Sequence, residues 1–252
     1  MKHYFLILGL LFSIVAFGQV NTFSTPKDSA FTIPMITASY AHQWSAGDLS
    51  NRFGHNNNVG GSFAIKNKNH WYYGIKGNFI WGNKVNENTI LSDLLTEDSY
   101  IIDNEGRLTS VFLEERGSSF FLVGGKLFNV LTKNNNSGIL VYGGFGTLHH
   151  KIRIAFKDEV NTLSEENKKG YDRLSFGYAI NGFIGYMHLS KNRFLNFFGG
   201  FDYTQGWTKS LRKYNYDTQQ ADTKVSNDIL YGIRLGWIIR LNKRTQQEYY
   251  YD

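Results

Sequence analysis

Residues 71–82 read Trp-Tyr-Tyr-Gly-Ile-Lys-Gly-Asn-Phe-Ile-Trp-Gly, and their spacing leaves little choice of structure. Trp71, Tyr73, Ile75, Gly77, Phe79 and Trp81 share one side of a period-two pattern; Tyr72, Gly74, Lys76, Asn78, Ile80 and Gly82 share the other. A helix would scatter these side chains around its circumference, whereas a strand gathers them into one aromatic-aliphatic face and one mixed face. Residues 229–241 repeat the pattern, with Ile229, Tyr231, Ile233, Leu235, Trp237, Ile239 and Leu241 opposite Leu230, Gly232, Arg234, Gly236, Ile238 and Arg240. Faces this apolar must be covered, either by a protein core or by lipid.

Six weaker segments, at 33–44, 59–66, 119–130, 139–154, 174–189 and 194–204, bring the predicted strands to eight. In the seventh, Leu195, Phe197, Gly199, Phe201 and Tyr203 alternate with Asn196, Phe198, Gly200, Asp202 and Thr204. In the fifth, Ile139/Val141/Phe145 and Leu140/Tyr142/Leu148 compete for the apolar face, so its register stays open. Short Asn- and Ser-rich turns at 67–70, 133–137 and 190–193 alternate with long polar connections at 45–58, 83–118, 155–173 and 205–227. Outer-membrane barrels sort their connections in this way, with short periplasmic turns and long extracellular loops. Composition agrees: 26 Gly, 20 Phe and 16 Tyr against 2 Pro suit strands. The absence of Cys removes disulfide frameworks, thiolate zinc sites, Cys nucleophiles and a lipid-modified N-terminal Cys.

Lys2 and His3 precede an apolar run over 4–17 that ends in Ala16-Phe17-Gly18, which predicts a secretory signal peptide over 1–18. That run is too short for a spanning helix, which needs about 20 residues. The chain then divides into a periplasmic segment at 19–31, a barrel at 32–243 and a periplasmic tail at 244–252. The expected location is the outer membrane.

Two barrel types alternate in this manner. A soluble lipocalin-like barrel turns apolar residues inward, and a membrane barrel turns them outward. The expected arrangement is an all-β, eight-stranded antiparallel transmembrane barrel, because the charged residues of both clear strands share the face opposite the large aromatics. A Lys or Arg facing lipid at the midplane costs roughly 2–4 kcal/mol. Lys76, Asn78, Lys126, Asp202, Arg234 and Arg240 are therefore assigned to the lumen, with Asp202 as a counter-charge. Trp71 and Trp81 lie ten residues apart on one face, about 33 Å along a strand and about 25 Å in height after tilting. That places them, with Trp237 and Tyr231, in interfacial girdles. Eight strands leave a lumen that side chains fill, so no open channel is expected.

Catalytic chemistry is sparse. His188 and Ser190 resemble the His-x-Ser pair of lipid A deacylase barrels, in which His would activate Ser; here the pair borders a short turn, at the wrong end for outer-leaflet chemistry. Adjacent His149 and His150 point to opposite faces of a strand and cannot chelate one metal together. Glu114-Glu115-Arg116 and the charges at 164–169 read as solvated loop faces or as weak cation sites. Gly124-Gly125 and Gly143-Gly144 lack any phosphate-cradling frame. No catalytic residue, cofactor or metal site is assigned. The net charge of +6 forms no basic stripe, so lipid phosphates are nearer partners than nucleic acid. Tyr249, Tyr250 and Tyr251 either extend the girdle or form a docking segment for a periplasmic partner.

Residues 47–54 (Gly-Asp-Leu-Ser-Asn-Arg-Phe-Gly), 70–74 (His-Trp-Tyr-Tyr-Gly), 170–174 (Gly-Tyr-Asp-Arg-Leu) and 197–206 (Phe-Phe-Gly-Gly-Phe-Asp-Tyr-Thr-Gln-Gly) resemble the small outer-membrane barrels of Bacteroidota. That family includes PorG-like barrels that associate with the periplasmic ring of the type IX secretion system. The resemblance spans nearly all of the chain after residue 18 and brings no catalytic positions. It implies a non-enzymatic anchor or accessory subunit in contact with outer-membrane lipid, lipopolysaccharide and periplasmic secretion-machine proteins. The alternatives are a surface-binding or adhesion barrel acting through 83–118, where 89–95 suit a short amphipathic turn, and a lipid A-modifying enzyme.

Overall fold

The computed structural model of the chain describes residues 31–241 except 88, 97–99, 103, 131–133, 157–165 and 191–193. The strands are β1 (Ile33–Gly47), β2 (His55–Lys66), β3 (Trp71–Gly82), β4 (Tyr100–Ile102), β5 (Leu108–Phe128), β6 (Gly138–Phe156), β7 (Ser175–Leu189), β8 (Asn196–Ser210) and β9 (Val225–Arg240). Each barrel strand pairs antiparallel with its neighbours in the order β3-β2-β1-β9-β8-β7-β6-β5, and β3 pairs with β5 to close the ring. The fold is a closed eight-stranded antiparallel barrel; β4 adds a short hairpin arm to β5 beyond the wall. A short helix, α1 (Leu49–Arg52), lies between β1 and β2.

The turns 67–70, 129–137 and 190–195 gather at one end with the start of β1 and the end of β9. The four long connections gather at the other. Asn67 shows how a polar turn is made tight: its backbone N–H donates to the Trp71 carbonyl and its side-chain oxygen accepts from the Trp71 N–H, both at 2.9 Å. The β5–β6 turn does more than reverse the chain. Asn136 and Ser137 are buried, Asn136 accepts from Lys66 Nζ at 2.8 Å, and Asn134 donates to the Leu189 carbonyl, so this turn lies across the lumen opening.

The segment 71–82 is a strand over the expected range, but β5, β8 and β9 reach further toward the long-loop end than expected. In β5, Val111, Phe112 and Leu113 are consecutive apolar residues, which hides the alternation; pairing with β6 from Val111↔Phe156 onward holds the strand regular there. In β6, Leu140, Tyr142 and Leu148 turn inward, while Val141 and Phe145 turn outward. Both faces are apolar, because the lumen near the short turns is itself filled by Ile33, Met35, Leu127, Met187, Phe198 and Ile238. The expected signal peptide (1–18) and tail (244–252) lie outside the described residues.

Gly185 and Gly200 face each other across β7 and β8, on the inward side. A Cβ on Gly185 would meet the Gly199 carbonyl and stand 2.7 Å from both Gly200 Cα and the Phe183 ring. The missing side chains let the wall bend tightly beneath that ring. Gly185→Val should therefore lower stability by about 1–3 kcal/mol through overpacking. Urea unfolding followed by tryptophan fluorescence measures it, and an unchanged midpoint would contradict this role.

Candidate functional site: outer wall, lumen and loop ring

The outer wall is apolar over a band of nearly constant height. Ile36, Tyr40, Val59, Phe63, Ile75, Phe79, Phe120, Leu122, Phe145, Ile180, Ile184, Phe201, Ile233 and Leu235 all face outward and exposed, Leu235 at 60%. On β5 the charged outward residues Arg116 and Lys126 are ten residues apart, with Ser118, Phe120, Leu122 and Gly124 between them. That separation is about 33 Å along the strand and about 25 Å in height once tilted.

All five tryptophans, a count taken from the sequence, lie on this face. Trp71 and Trp237 stand near the short turns; Trp44, Trp81 and Trp207 stand near the long loops. Trp44 stacks on Tyr231 at 6.0 Å, and Trp81 on Phe79 at 6.1 Å. Trp44 and Trp207 went unassigned in the sequence, although their parity within β1 and β8 places both outward.

Lys126, expected in the lumen, is instead on the outer face. It pairs across from Trp71 in the β3–β5 register, and its ammonium lies 5.6 Å from the Trp71 ring and 5.9 Å from that of Phe128. Its place at the band's edge explains the exception: a long lysine can lay its stem along apolar surface and keep its charge in the polar zone. The aromatic faces beside it attract the cation.

The lumen holds a buried ion cluster at mid-height. Asp202 on β8 accepts from Lys76 Nζ (β3) at 3.0 Å and from Arg234 Nη2 (β9) at 2.8 Å. Asn181 Nδ2 (β7) donates to the same carboxylate at 3.2 Å, and Gln43 Nε2 (β1) at 3.4 Å. Arg234 also donates to Asn58 and Ser39, and Lys76 to Asn181 and Tyr142. Arg234 and Asp202 are each 1% exposed. Asn78 is buried and donates to Ser119, whereas Arg240 takes the inward side at the last position of β9 and is half-buried. Toward the long loops, His150 bonds Asp228 at 2.9 Å, and Asn56 donates to Glu115 at 3.1 Å. Glu115, read from sequence as a solvated loop charge, is buried. The cavity beside Lys76 and Arg234 measures about 20 Å³, room for a single water. Among the described residues, stacked rings and ion-paired side chains occupy the lumen beside it.

The long loops form a second ionic structure that sequence reasoning missed. Arg52 beside β1 meets Glu87 in the β3–β5 loop at 3.4 Å, and Glu87 meets Arg173 in the β6–β7 loop at 2.7 Å. Arg173 pairs with Asp217 in the β8–β9 loop, whose Lys224 returns to Asp48 at 2.9 Å. The four loops are thus joined in a ring, with a further Asp172–Arg212 pair between the third and fourth. Phe53, Leu49, Ile90 and Leu91 are buried beneath it. The expected turn at 89–95 is in part a 3-10 helix, Ser92–Leu94. These partners are distant in sequence, and no local pattern announces them.

His188 faces outward near the short turns, with its ring 5.1 Å from Phe197 and 6.5 Å from Tyr186. His149 and His150 take opposite faces, as their adjacency in a strand requires. Tyr249, Tyr250 and Tyr251 lie outside the described residues.

No protein-family model matches the chain, and no curated protein matches it. Among solved structures, Ail, the attachment invasion locus protein of Yersinia pestis, is similar at 13% identity, covering 83% of this chain and 99% of that one with a TM-score of 0.42. Ail in complex with the heparin analogue sucrose octasulfate is similar at 12% identity, with the same coverage and a TM-score of 0.39.

Removing the central carboxylate should be severe. Asp202→Asn leaves Lys76 and Arg234 buried without their counter-charge and should cost about 3–5 kcal/mol in urea unfolding. Asp202→Asn with Lys76→Met should recover part of that loss; equal loss in single and double variants would contradict the pairing. The loop ring carries its own signature in acid. The Asn227 backbone N–H, and then Lys224, hold the Asp48 carboxyl below its ordinary value near 3.8. A depressed carboxyl contributes its stabilisation fully above that ordinary value and loses it as pH falls through the lowered one. The Asn227 amide resonance should accordingly be constant at neutral pH and titrate with a midpoint below 3.8. A midpoint at or above it would contradict the clasp.

Proposed function

We infer that the chain is a non-enzymatic, non-conducting barrel of the outer membrane, serving as an anchor or accessory subunit. One observation carries this reading: a wall about 25 Å high, without charge among the described residues and edged by tryptophans, around a lumen that holds its ion pairs at mid-height. Water would favour the opposite arrangement. Closure satisfies the backbone of every wall strand, which lipid demands.

In this orientation the short turns are periplasmic and the long loops extracellular. β9 ends on the periplasmic side, so the tail that follows starts where a periplasmic partner would meet the barrel. The type IX secretion ring implied by the resemblance to Bacteroidota barrels is the partner proposed there. A second reading, a surface-binding barrel, is favoured by the loop end. There the ring of ion pairs supports a stable platform, and Tyr100, Ile102, Leu108 and Phe112 are exposed beyond the wall on β4 and β5.

Fractionation of native cells, followed by electrophoresis in cold detergent with and without boiling, tests the common ground of both readings. The expected result is recovery in the outer membrane and a mobility shift on boiling. Recovery in the soluble periplasm without detergent would overturn the assignment.

A further inference from the structure

The charges on the outer wall are unevenly placed. Among the described residues, the outward positions of the barrel strands carry Lys126 below the apolar band, and Glu114, Arg116, Lys151, Arg153 and Lys209 above it. Those above all belong to β5, β6 and β8, while the outward faces of β1, β2, β3, β7 and β9 carry no Asp, Glu, Lys or Arg. Four cations therefore share one side of the barrel with a single acid.

One of their cross-strand pairings is unfavourable. Arg116 lies directly opposite Lys151 in the β5–β6 register, and Glu114 opposite Arg153. Like charges directly opposite in a sheet destabilise it. Glu114 already accepts from Arg116 at 2.7 Å and from Arg153 at 3.1 Å. Among the described residues no carboxylate lies within ion-pair distance of Lys151. Lys209 is likewise without one; it stands opposite Phe176, which is itself opposite His149, the outward residue preceding Lys151 on β6. Lys209 is thus two strand spacings, about 10 Å, from β6. Among the described residues this part of the wall carries four cations to one carboxylate, an excess that an anionic ligand would balance.

Position identifies the chemistry. The patch stands at the top of the band, where headgroups meet acyl chains. Directly below it Phe120, Leu122, Phe145 and Tyr178 are exposed, with Phe145 and Tyr178 stacked at 6.0 Å. A ligand filling both zones carries several negative groups above and hydrocarbon beneath. At the opposite rim, among the described residues, the outward strand positions carry only Lys126, which lies over Trp71 and Phe128, with Lys68 exposed in the turn beyond.

We propose that the outer wall of β5, β6 and β8 docks the phosphates of an outer-leaflet glycolipid of the lipopolysaccharide type, with Arg116, Lys151, Arg153 and Lys209 receiving them. This rests on the membrane reading above. The test uses the full barrel refolded in zwitterionic detergent, with bis-phosphorylated rough lipopolysaccharide as the probe and native mass spectrometry as the readout. Lys151→Gln with Lys209→Gln, which disturbs no ion pair within the described residues, should weaken retention by about fivefold for each lysine. Wild-type barrel should hold phosphatase-treated lipopolysaccharide, or phosphatidylglycerol, less well than the intact glycolipid. Equal retention by the double variant, or equal retention of the dephosphorylated probe, would overturn the proposal while heat-modifiability leaves the membrane reading standing. A wild-type barrel that shows no shift on boiling would overturn that reading, and the proposal with it.

Discussion

The carboxylate of Asp202 is the fixed point of this barrel. An isolated charge so deeply buried would cost many kcal/mol, and here it is met by one ammonium, one guanidinium and two amides from four other strands. Because these donors come from β1, β3, β7 and β9, satisfying one residue positions much of the ring. The interior is consequently layered, with apolar packing near the short turns, ions at mid-height, and a second apolar layer under the loops. Each layer excludes water from the next, which strengthens the ion pairs and makes their loss expensive.

The outside of the barrel follows from the same constraint seen from the other direction. Period two gives each strand two faces, and filling a narrow lumen with charges and packed rings leaves the other large apolar side chains nowhere to go but outward. Tyr72, Tyr142 and Phe183 stack inside and Phe198 meets Phe183 edge-on, so the inward set is far from wholly polar. What distinguishes the faces is where the charges sit relative to the band. Inside, the Lys76–Asp202–Arg234 cluster lies at its centre; on the outward strand positions among the described residues, charges appear only at its edges.

Much of this was legible in the sequence because it is local. The alternation over 71–82 and 229–241 placed Lys76, Arg234 and the tryptophans on opposite faces, and Asn67 announced its turn. Lys126 misled because its polarity suggested the lumen, whereas its parity with Phe120, Leu122 and Phe128 put it outside. Glu115 misled in the opposite sense: three charges in a row look like a loop, yet the middle one turns inward to Asn56. The register of β6 could not be read, since both of its faces are apolar for different reasons. The loop ring was beyond reach, because Arg52, Glu87, Arg173 and Asp217 meet only after the chain has closed.

The closing seam between β1 and β9 gives the ion cluster a second meaning. Arg234 belongs to β9, which closes the ring against β1, whereas Lys76 belongs to β3. Without β9, Asp202 would lack one of its two cations and the barrel would have an open edge beside it. A ring opened at that seam would leave this carboxylate facing water. One strand therefore both closes the wall and completes the shell of the buried carboxylate, so a seam that opens exposes the most costly charge of the interior.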